Sequence, residues 1–550
     1  MRQRVFTFGF RAIIAAAVFL VGAAAYAQLP TTVRISDPRG EIDAILSRGR
    51  QLEIERRWGE ALAHYEDAMR RHPQEAELRQ RFESSRLHFD IERRYADRSF
   101  CDSVARMSTE RALDLYSRVL LKIESHYVDA PHWKALFDRG TGNLRVALWE
   151  PAFIDKNVPQ RDRVAVESFM EELHRVAAPW SVVTRAEARQ AVSYVARLAQ
   201  QRLEINPTVV VLEYLCGATN ALDPYSAFLT PNQLNEVYAQ IEGNFVGLGV
   251  ELKALDGGLV IVGVISGSPA EQAGIRAGDR ILSVDGRSTA EVSTEQAANM
   301  LQGPAGTVAR LILAGPGENA REVNVSRRVV EVPSVDRVSI IDPQDGIAYL
   351  KLTCFQKTTA RDLDVALWKL HREGMKSLVV DVRGNPGGLL MSAVEVADRF
   401  VERGVIVTTR GRNSQEDYTY SAHDIGKWRM PLVVIIDQDS ASAAEIFAGA
   451  IRDHRRGTIV GARSFGKGSV QGIFPLEESD AGVRLTTAKF YSPAGHPYSF
   501  VGVEPDLEVR VAARPIGGRH PSGNDPMLQA AADAARRLGS NGTLQARNSK

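Results

Sequence analysis

Residues 432–453, LVVIIDQDSASAAEIFAGAIRD, join a short apolar run to a helical pattern through a serine-rich turn. Leu432 to Ile436 is apolar at every position, which is typical of a parallel strand covered on both faces. From Ser440 to Asp453 the apolar residues recur at helical spacing. A buried strand followed at once by a helix indicates an α/β domain, and open α/β sheets carry their sites at the carboxyl ends of strands.

The same alternation of strands and helices extends on both sides of this stretch, from Gly346 onward, and predicts a layered α/β domain with right-handed crossovers. The predicted strands are 347–352, 378–382, 405–408, 458–460 and 484–490, and the predicted helices are 360–371 and 389–401.

The serines of this turn admit two interpretations. Ser442 precedes Glu445 by three positions, which is the spacing of a capping box, so Ser442 could simply cap the helix. A serine at a strand-to-helix turn is also a common position for an exposed nucleophile. In that case the N–H of Ala443, at the positive end of the helix, could stabilise an oxyanion. Ser440 competes with Ser442 for either role.

Two glycine-rich turns also follow predicted strands. Residues 383–388 read RGNPGG, and residues 461–468 read GARSFGKG. The second turn matches the start of a phosphate-binding loop, GxxxxGK. Its eighth position is Gly468, however, where magnesium binding needs Ser or Thr, and residues 468–475 resemble extended chain where the phosphate site needs a helix. Nucleotide binding is therefore not favoured, and with no HExxH motif or other ligand spacing we expect no metal and no organic cofactor.

Blocks 380–388, 440–446 and 466–471 resemble the signature blocks of the carboxy-terminal processing proteases, and so do residues 485–495 and 502–506. The resemblance runs from about Arg111 to Val511, and the blocks follow in the family's order. It implies a serine endopeptidase. The roles that the resemblance implies are Ser442 as nucleophile, Lys467 as general base, Gln471 orienting the lysine amine, and the N–H groups of Gly387 and Ala443 as oxyanion donors.

The implied chemistry is physically coherent. A lysine in water has a pKa of roughly 10.4 and is charged at neutral pH. Burial disfavours the charged form, so a buried Lys467 could accept the proton of a serine. Serine–lysine pairs need no histidine. A catalytically inactive scaffold on the same fold is the alternative, and the presence of both Ser442 and Lys467 argues against it.

Residues 236–330 resemble a PDZ domain, through the Gly-Leu-Gly turn at 247–249, the segment 268–279 and the strand-to-turn segment 281–286. A further helix is predicted at 295–301. PDZ domains bind the C-terminus of a client as an added strand, with backbone N–H groups around its carboxylate. On that resemblance the peptide-binding residues are Gly247, Leu248, Gly249 and Val250.

The first 27 residues have the layout of a secretory signal peptide: a basic start, an apolar stretch over 13–25 and the cleavage signal Ala25-Tyr26-Ala27. We therefore expect export to the periplasm or to the extracytoplasmic face of the cell membrane. An uncleaved anchor is the alternative.

Residues 43–73 resemble one tetratricopeptide repeat, which could be a docking surface for a partner or a helical brace.

The composition adds few constraints. The chain has 550 residues and a formal net charge of +1, so no nucleic-acid partner is indicated. Three widely spaced cysteines do not suggest a disulfide framework.

The predicted fold is multidomain, with an all-α tetratricopeptide-like region, a PDZ β-sandwich or barrel, and an α/β layered protease domain of the crotonase/Clp-like type. The predicted segments are 1–27 signal peptide, 28–95 tetratricopeptide-like region, 96–235 helical region, 236–330 PDZ domain, 331–512 protease domain and 513–550 mobile tail, the last with a short possible helix at 527–538.

Overall fold

The computed structural model describes residues 5–6, 38–158, 162–255, 258–290, 300–477, 479–509 and 525–548. Apart from residues 5 and 6, the predicted signal peptide lies outside these residues, and so does nearly all of the helix predicted at 295–301. Within the described ranges, no helix is both long enough and apolar enough to span a membrane.

The helices number from α1 to α16 along the chain. They are α1 Pro38–Ile54, α2 Trp58–Arg71, α3 Ala76–Ala96, α4 Arg98–Arg106, α5 Thr109–His126, α6 Trp133–Ala147, α7 Pro151–Asn157, α8 Arg163–Ala177, α9 Arg185–Leu203, α10 Pro207–Asn220, α11 Pro231–Glu242, α12 Pro269–Gln272, α13 Thr359–Arg372, α14 Leu390–Asp398, α15 Ala443–Asp453 and α16 Pro526–Asn548.

The strands number from β1 to β20. They are β1 Val5–Phe6, β2 Ala227–Leu229, β3 Asn244–Gly247, β4 Val250–Leu255, β5 Gly258–Val264, β6 Arg280–Val284, β7 Arg287–Ser288, β8 Val308–Ala314, β9 Arg321–Ser326, β10 Arg328–Glu331, β11 Val335–Asp342, β12 Ile347–Leu352, β13 Ser377–Asp381, β14 Gly404–Gly411, β15 Tyr418–Ala422, β16 Leu432–Ile436, β17 Thr458–Gly461, β18 Ser469–Leu476, β19 Ala481–Tyr491 and β20 Leu507–Glu508.

The N-terminal region is helical, as predicted. Helices α1 to α3 share a small core that includes Leu52, Tyr65 and Leu78. Gly49 lies so close to the Tyr65 ring that any side chain at 49 would overlap it. The close approach of α1 and α2 therefore requires a small residue here, and the tetratricopeptide resemblance remains a prediction. A second, larger core surrounds helix α10, which is buried from Thr208 to Thr219.

The PDZ module is a sheet of strand order β4-β5-β6-β8-β9, with β7 paired to β6. Alternate residues of these strands, among them Leu259, Ile281 and Leu311, form its core together with Leu248. Strands β3 and β10 form a separate antiparallel pair where the chain enters and leaves the module.

The protease domain contains two sheets. The first has the order β11-β12-β13-β16-β17-β20, and its strands from β12 to β20 are parallel. The second has the order β18-β19-β14-β15, with β2 paired to β19, and β1, from the predicted signal peptide, pairs with the free edge of β18. Helices α13 to α15 contribute to one core with the first sheet and with β14, β18 and β19. The predicted α/β layered fold is confirmed.

The C-terminal segment differs from the predicted mobile tail over its described part. Helix α16 buries Met527, Ala531, Ala534 and Ala535 against β12, β13, β16 and β17, on the face of the first sheet opposite α15. Arg383 holds the start of this helix through two hydrogen bonds to Asp525, at 3.0 and 2.8 Å. The short helix predicted at 527–538 lies within α16, and the described segment differs from a mobile tail because its alanines line one face of this helix and cover an apolar face of the sheet.

Candidate active site

Ser442 lies in the turn between β16 and α15, where the sequence predicts either a cap or a nucleophile. Its side chain is fully buried, and its backbone has φ +58° and ψ −114°, which is costly for a residue with a side chain. Among the described residues, its Oγ has no hydrogen-bond partner. The Glu445 carboxylate accepts the Ser442 N–H at 2.7 Å. The glutamate half of the predicted capping box is thus formed while the serine hydroxyl is left uncommitted.

Ser440 is placed differently. Its Oγ donates to the carbonyl oxygen of Val382 at 2.8 Å and accepts the Asp437 N–H at 3.0 Å. These bonds tie the serine turn to the end of β13. The hydroxyl of Ser440 is therefore occupied by the fold, and that of Ser442 is not.

Lys467 lies in the glycine-rich turn between β17 and β18, and its side chain is almost fully buried. Its Nζ has no hydrogen-bond partner in the described part of the chain and lies 4.6 Å from the centre of the Tyr225 ring. Burial lowers the pKa of Lys467 well below its usual range, and the positive charge of Arg484 lowers it further. The site therefore favours the neutral amine that a general base requires.

Glu445 links the serine turn to the lysine turn. Its Oε2 accepts the N–H groups of Ser442 and Lys467, at 2.7 and 2.9 Å. Its Oε1 accepts the Ser464 hydroxyl and the Gly466 N–H, both at 2.6 Å. Burial raises the pKa of Glu445, and these four donors oppose that rise. The predicted capping spacing accounts for the first contact only, since the lysine turn is 19 to 22 residues further along the chain.

The predicted oxyanion donors both lie beside Ser442. A Cβ on Gly387, whose φ is +104°, would lie 2.8 Å from the Ser442 Cβ and 3.0 Å from the Ala443 nitrogen. The Ala443 N–H lies in the first turn of α15, where backbone N–H groups have no acceptor within the helix itself. The Gly387 N–H donates to Asn385 Oδ1 at 2.9 Å. In this arrangement the Gly387 donor is occupied by Asn385, and the Ala443 N–H is one that the helix does not use.

Gln471 is buried on β18, four residues after the lysine, but no hydrogen bond joins the two side chains. Its Nε2 donates to the Ser469 hydroxyl at 2.9 Å. Its Oε1 has no partner within the described residues, and neither has the Lys467 amine. The acceptor and the donor that the prediction pairs are therefore both unoccupied here.

The predicted peptide-binding residues form the turn from β3 to β4. Leu248 is buried in the PDZ core. The carbonyl oxygens of Leu248 and Gly249 accept the N–H groups of Ala270 and Ile265, both at 2.9 Å. Gly249 has φ +85°, which favours glycine. These bonds hold the turn at 247–250 against the end of β5 and against α12. The role of this turn in binding a carboxylate stays a prediction.

Comparison with known proteins agrees with this architecture. The model of Peptidase family S41 matches residues 346–509, and a PDZ domain model matches residues 260–314. A carboxy-terminal-processing protease of Bartonella bacilliformis is 38% identical over 301 residues, which cover 53% of this chain and 68% of that protein. A carboxyl-terminal-processing protease of Synechocystis sp. is 30% identical over 356 residues, covering 62% of this chain and 82% of that one. The chain belongs to the carboxy-terminal processing protease family.

This carboxy-terminal processing protease is thus a serine-type peptidase with a PDZ domain. Among solved structures, a photosystem II D1 C-terminal processing protease is 26% identical and has a TM-score of 0.39, with 78% of this chain and 97% of that chain covered. In the described part of the chain, no group of three or more His, Cys, Asp or Glu residues could hold a metal ion.

Proposed function

We propose that this protein is an exported endopeptidase that cleaves with a Ser442–Lys467 dyad after its PDZ domain has bound a client C-terminus. The observation that carries the proposal is that the Ser442 hydroxyl and the Lys467 amine are both buried and, among the described residues, both without a hydrogen-bond partner. Glu445 binds the backbones that carry both groups. A scaffold without activity would have no need to keep such groups buried and unpaired.

In the proposed reaction, the neutral amine of Lys467 takes the proton of Ser442 Oγ as that oxygen attacks the peptide carbonyl carbon. The negative charge on the carbonyl oxygen is stabilised by the Ala443 N–H at the helix N-terminus. Gly387 can donate as well once its N–H leaves Asn385. The lysine ammonium then protonates the leaving amine, and water hydrolyses the acyl-enzyme with Lys467 again acting as base.

Among the described residues neither reactive atom has a hydrogen-bond partner, so the reaction requires the amine and the hydroxyl to come into hydrogen-bond contact. Gln471 Oε1 is a buried acceptor without a partner in the described part of the chain, and we propose that it accepts from the lysine amine during the reaction. The PDZ turn at 247–250 holds the client carboxylate, and export follows from the N-terminal 27 residues. These assignments rest on the sequence motifs.

The test is cleavage of an unfolded reporter that ends in apolar residues. We expect fragments from the wild-type protein and none from Ser442→Ala or Lys467→Ala. Lys467→Arg should also be inactive, because a guanidinium cannot be deprotonated in a protein. Thermal unfolding of each variant checks that folding is retained. Full activity in a folded Lys467→Arg protein would remove lysine from the role of base, and full activity in Ser442→Ala would remove the nucleophile.

Export and peptide docking need separate measurements. Fractionation of cells that express the full chain, with mass spectrometry of its N-terminus, should find a mature protein beginning at Gln28 outside the cytoplasm. A reporter with an amidated C-terminus should be cleaved more slowly than one with a free carboxylate, because the PDZ turn recognises the charge. Equal rates for the two reporters would contradict recognition of the client C-terminus.

A further inference from the structure

Residues 223–226, at the end of the helical region, form a rigid wall beside the lysine. Asp223 Oδ1 accepts the N–H groups of Tyr225 and Ser226, at 2.7 and 3.0 Å, and its Oδ2 accepts the Ser226 hydroxyl at 2.7 Å. From strand β19, Arg484 Nε donates to the Tyr225 carbonyl oxygen at 2.8 Å, and the Thr486 N–H donates to Ser226 Oγ at 3.2 Å. The backbone of Tyr225 is therefore fixed from both sides.

The ring of Tyr225 is what this wall presents to the lysine. Lys467 Nζ lies 4.6 Å from the ring centre, and within the described residues the amine makes no hydrogen bond. An aromatic face accepts weakly from an N–H group of a neutral amine and packs against the methylene stem of a lysine. Burial raises the pKa of the Tyr225 hydroxyl, so that hydroxyl stays neutral and is not itself a base.

We propose that Tyr225 and Arg484 are positioning residues for the general base, with the Tyr225 ring holding the resting amine of Lys467 and Arg484 fixing the backbone that carries this ring. This inference rests on the proposed role of Lys467. It gives a reason for the contact between the helical region and the protease domain. Residues 223–226, which hold the base, belong to the helical region and not to the protease domain.

Arg484 has a second, electrostatic effect on the base. It is buried on β19 and pairs in register with Ile473 of β18, the strand that follows the lysine turn. A buried positive charge near Lys467 disfavours a second one, so the guanidinium promotes loss of the lysine proton. The charged groups that act on Lys467 or on Arg484 from the surrounding elements are Asp223, Glu445, Arg86, Arg93 and Asp90.

The ring is tested with a matched pair of variants, Tyr225→Leu and Tyr225→Phe, assayed on a short unfolded peptide. Tyr225→Phe keeps the face and should retain kcat within about threefold. Tyr225→Leu removes the face, and since misplacing a catalytic group is costly, we expect kcat to fall at least about tenfold with KM nearly unchanged. Equal kcat values for the two variants would overturn the proposal for Tyr225.

The charge is tested with Arg484→Met and Arg484→Lys, by measuring kcat/KM against pH. Without the positive charge the lysine loses its proton less readily. The acid limb of the kcat/KM profile, where activity rises as the lysine is deprotonated, should therefore move to higher pH in Arg484→Met. It should stay near the wild-type position in Arg484→Lys, which keeps the charge. An acid limb that does not move in Arg484→Met would overturn the electrostatic part. Should Arg484→Met not fold, as judged by circular dichroism, Arg484→Gln makes the same test.

Lys467→Ala separates this inference from the proposed function. If Lys467→Ala keeps full activity, the lysine is not the base and both proposals fail together. If Lys467→Ala is inactive while Tyr225→Leu and Arg484→Met behave as wild type, the dyad stands and only the positioning inference fails. Cleavage by the full chain is the readout in every arm.

Discussion

Glu445→Gln is the substitution that most directly tests how the site is held together. The glutamate carboxylate is fully buried and accepts two hydrogen bonds on each oxygen. Glutamine has the same shape, but its amide nitrogen donates and cannot accept. Whichever way the amide is turned, two buried donors that formerly met an oxygen now meet an N–H₂ group.

The expected cost follows from those two donors. A buried donor that loses its acceptor costs about 1–3 kcal/mol. We therefore expect the free energy of unfolding of the protease domain to fall by about 3 kcal/mol, allowing for local relaxation. For a domain of this size each kcal/mol corresponds to about 2–4 °C, so the melting temperature should drop by roughly 6–12 °C. Cleavage activity should also fall, by about a hundredfold, because the backbones of Ser442 and Lys467 both shift.

Thermal unfolding followed by circular dichroism, together with peptide cleavage at a temperature where the variant is folded, measures both effects. Glu373→Gln is a matched control. Its carboxylate, at the exposed end of α13, only approaches Lys369 at 4.0 Å, so its replacement should cost less than about 0.5 kcal/mol. If Glu445→Gln unfolds and cleaves like this control, the carboxylate does not couple the two turns and the reasoning is wrong.

Three further substitutions give distinct outcomes. Gly387→Ala should abolish cleavage and lower the melting temperature, because a methyl group would lie 2.8 Å from the Ser442 Cβ at a φ of +104°. Ser440→Ala should keep substantial cleavage activity while lowering the free energy of unfolding by about 1 kcal/mol, since its hydroxyl serves the fold. Arg383→Met should speed amide hydrogen exchange in α16, because the helix loses its contact at Asp525.

The fold of the protease domain could be predicted because its parallel strands are apolar at nearly every position. Leu378 to Val382 and Leu432 to Ile436 are buried on both faces. Only a strand that lies between two layers needs apolar residues at nearly every position, so the pattern identifies such strands. Strands such as β11 and β15 were missed. Their burial is partial and irregular, since each lies at the edge of a sheet, and edge strands give a weak period-two signal.

The site could be predicted only where a motif is local. The capping spacing relates Ser442 to Glu445 within one helical turn. Nothing in the sequence relates Glu445 to Gly466, because that contact depends on how two turns of the protease domain pack. Nothing relates Tyr225 to Lys467 either, because that contact joins the helical region to the protease domain. The motifs come together for a topological reason: the turns containing Gly387, Ser442 and Lys467 follow β13, β16 and β17, which are neighbours in one parallel sheet.

The strained backbone at Ser442 shows how the fold keeps its hydroxyl free. A helix of this kind normally uses the side chain at this position as its cap, which would occupy the Oγ. Here the Glu445 carboxylate satisfies the Ser442 N–H and the Lys467 N–H together, while Asn385 holds the turn by accepting the Ala441 N–H at 2.9 Å. These bonds offset a backbone strain of about 1–3 kcal/mol. The N–H groups of Ala444 and Glu445, which a capping side chain would accept, bond instead to the carbonyl oxygens of Ala441 and Ser442, at 3.1 and 2.9 Å. The serine oxygen is therefore left free, and the Glu445 carboxylate also fixes the backbone of Lys467, the proposed base.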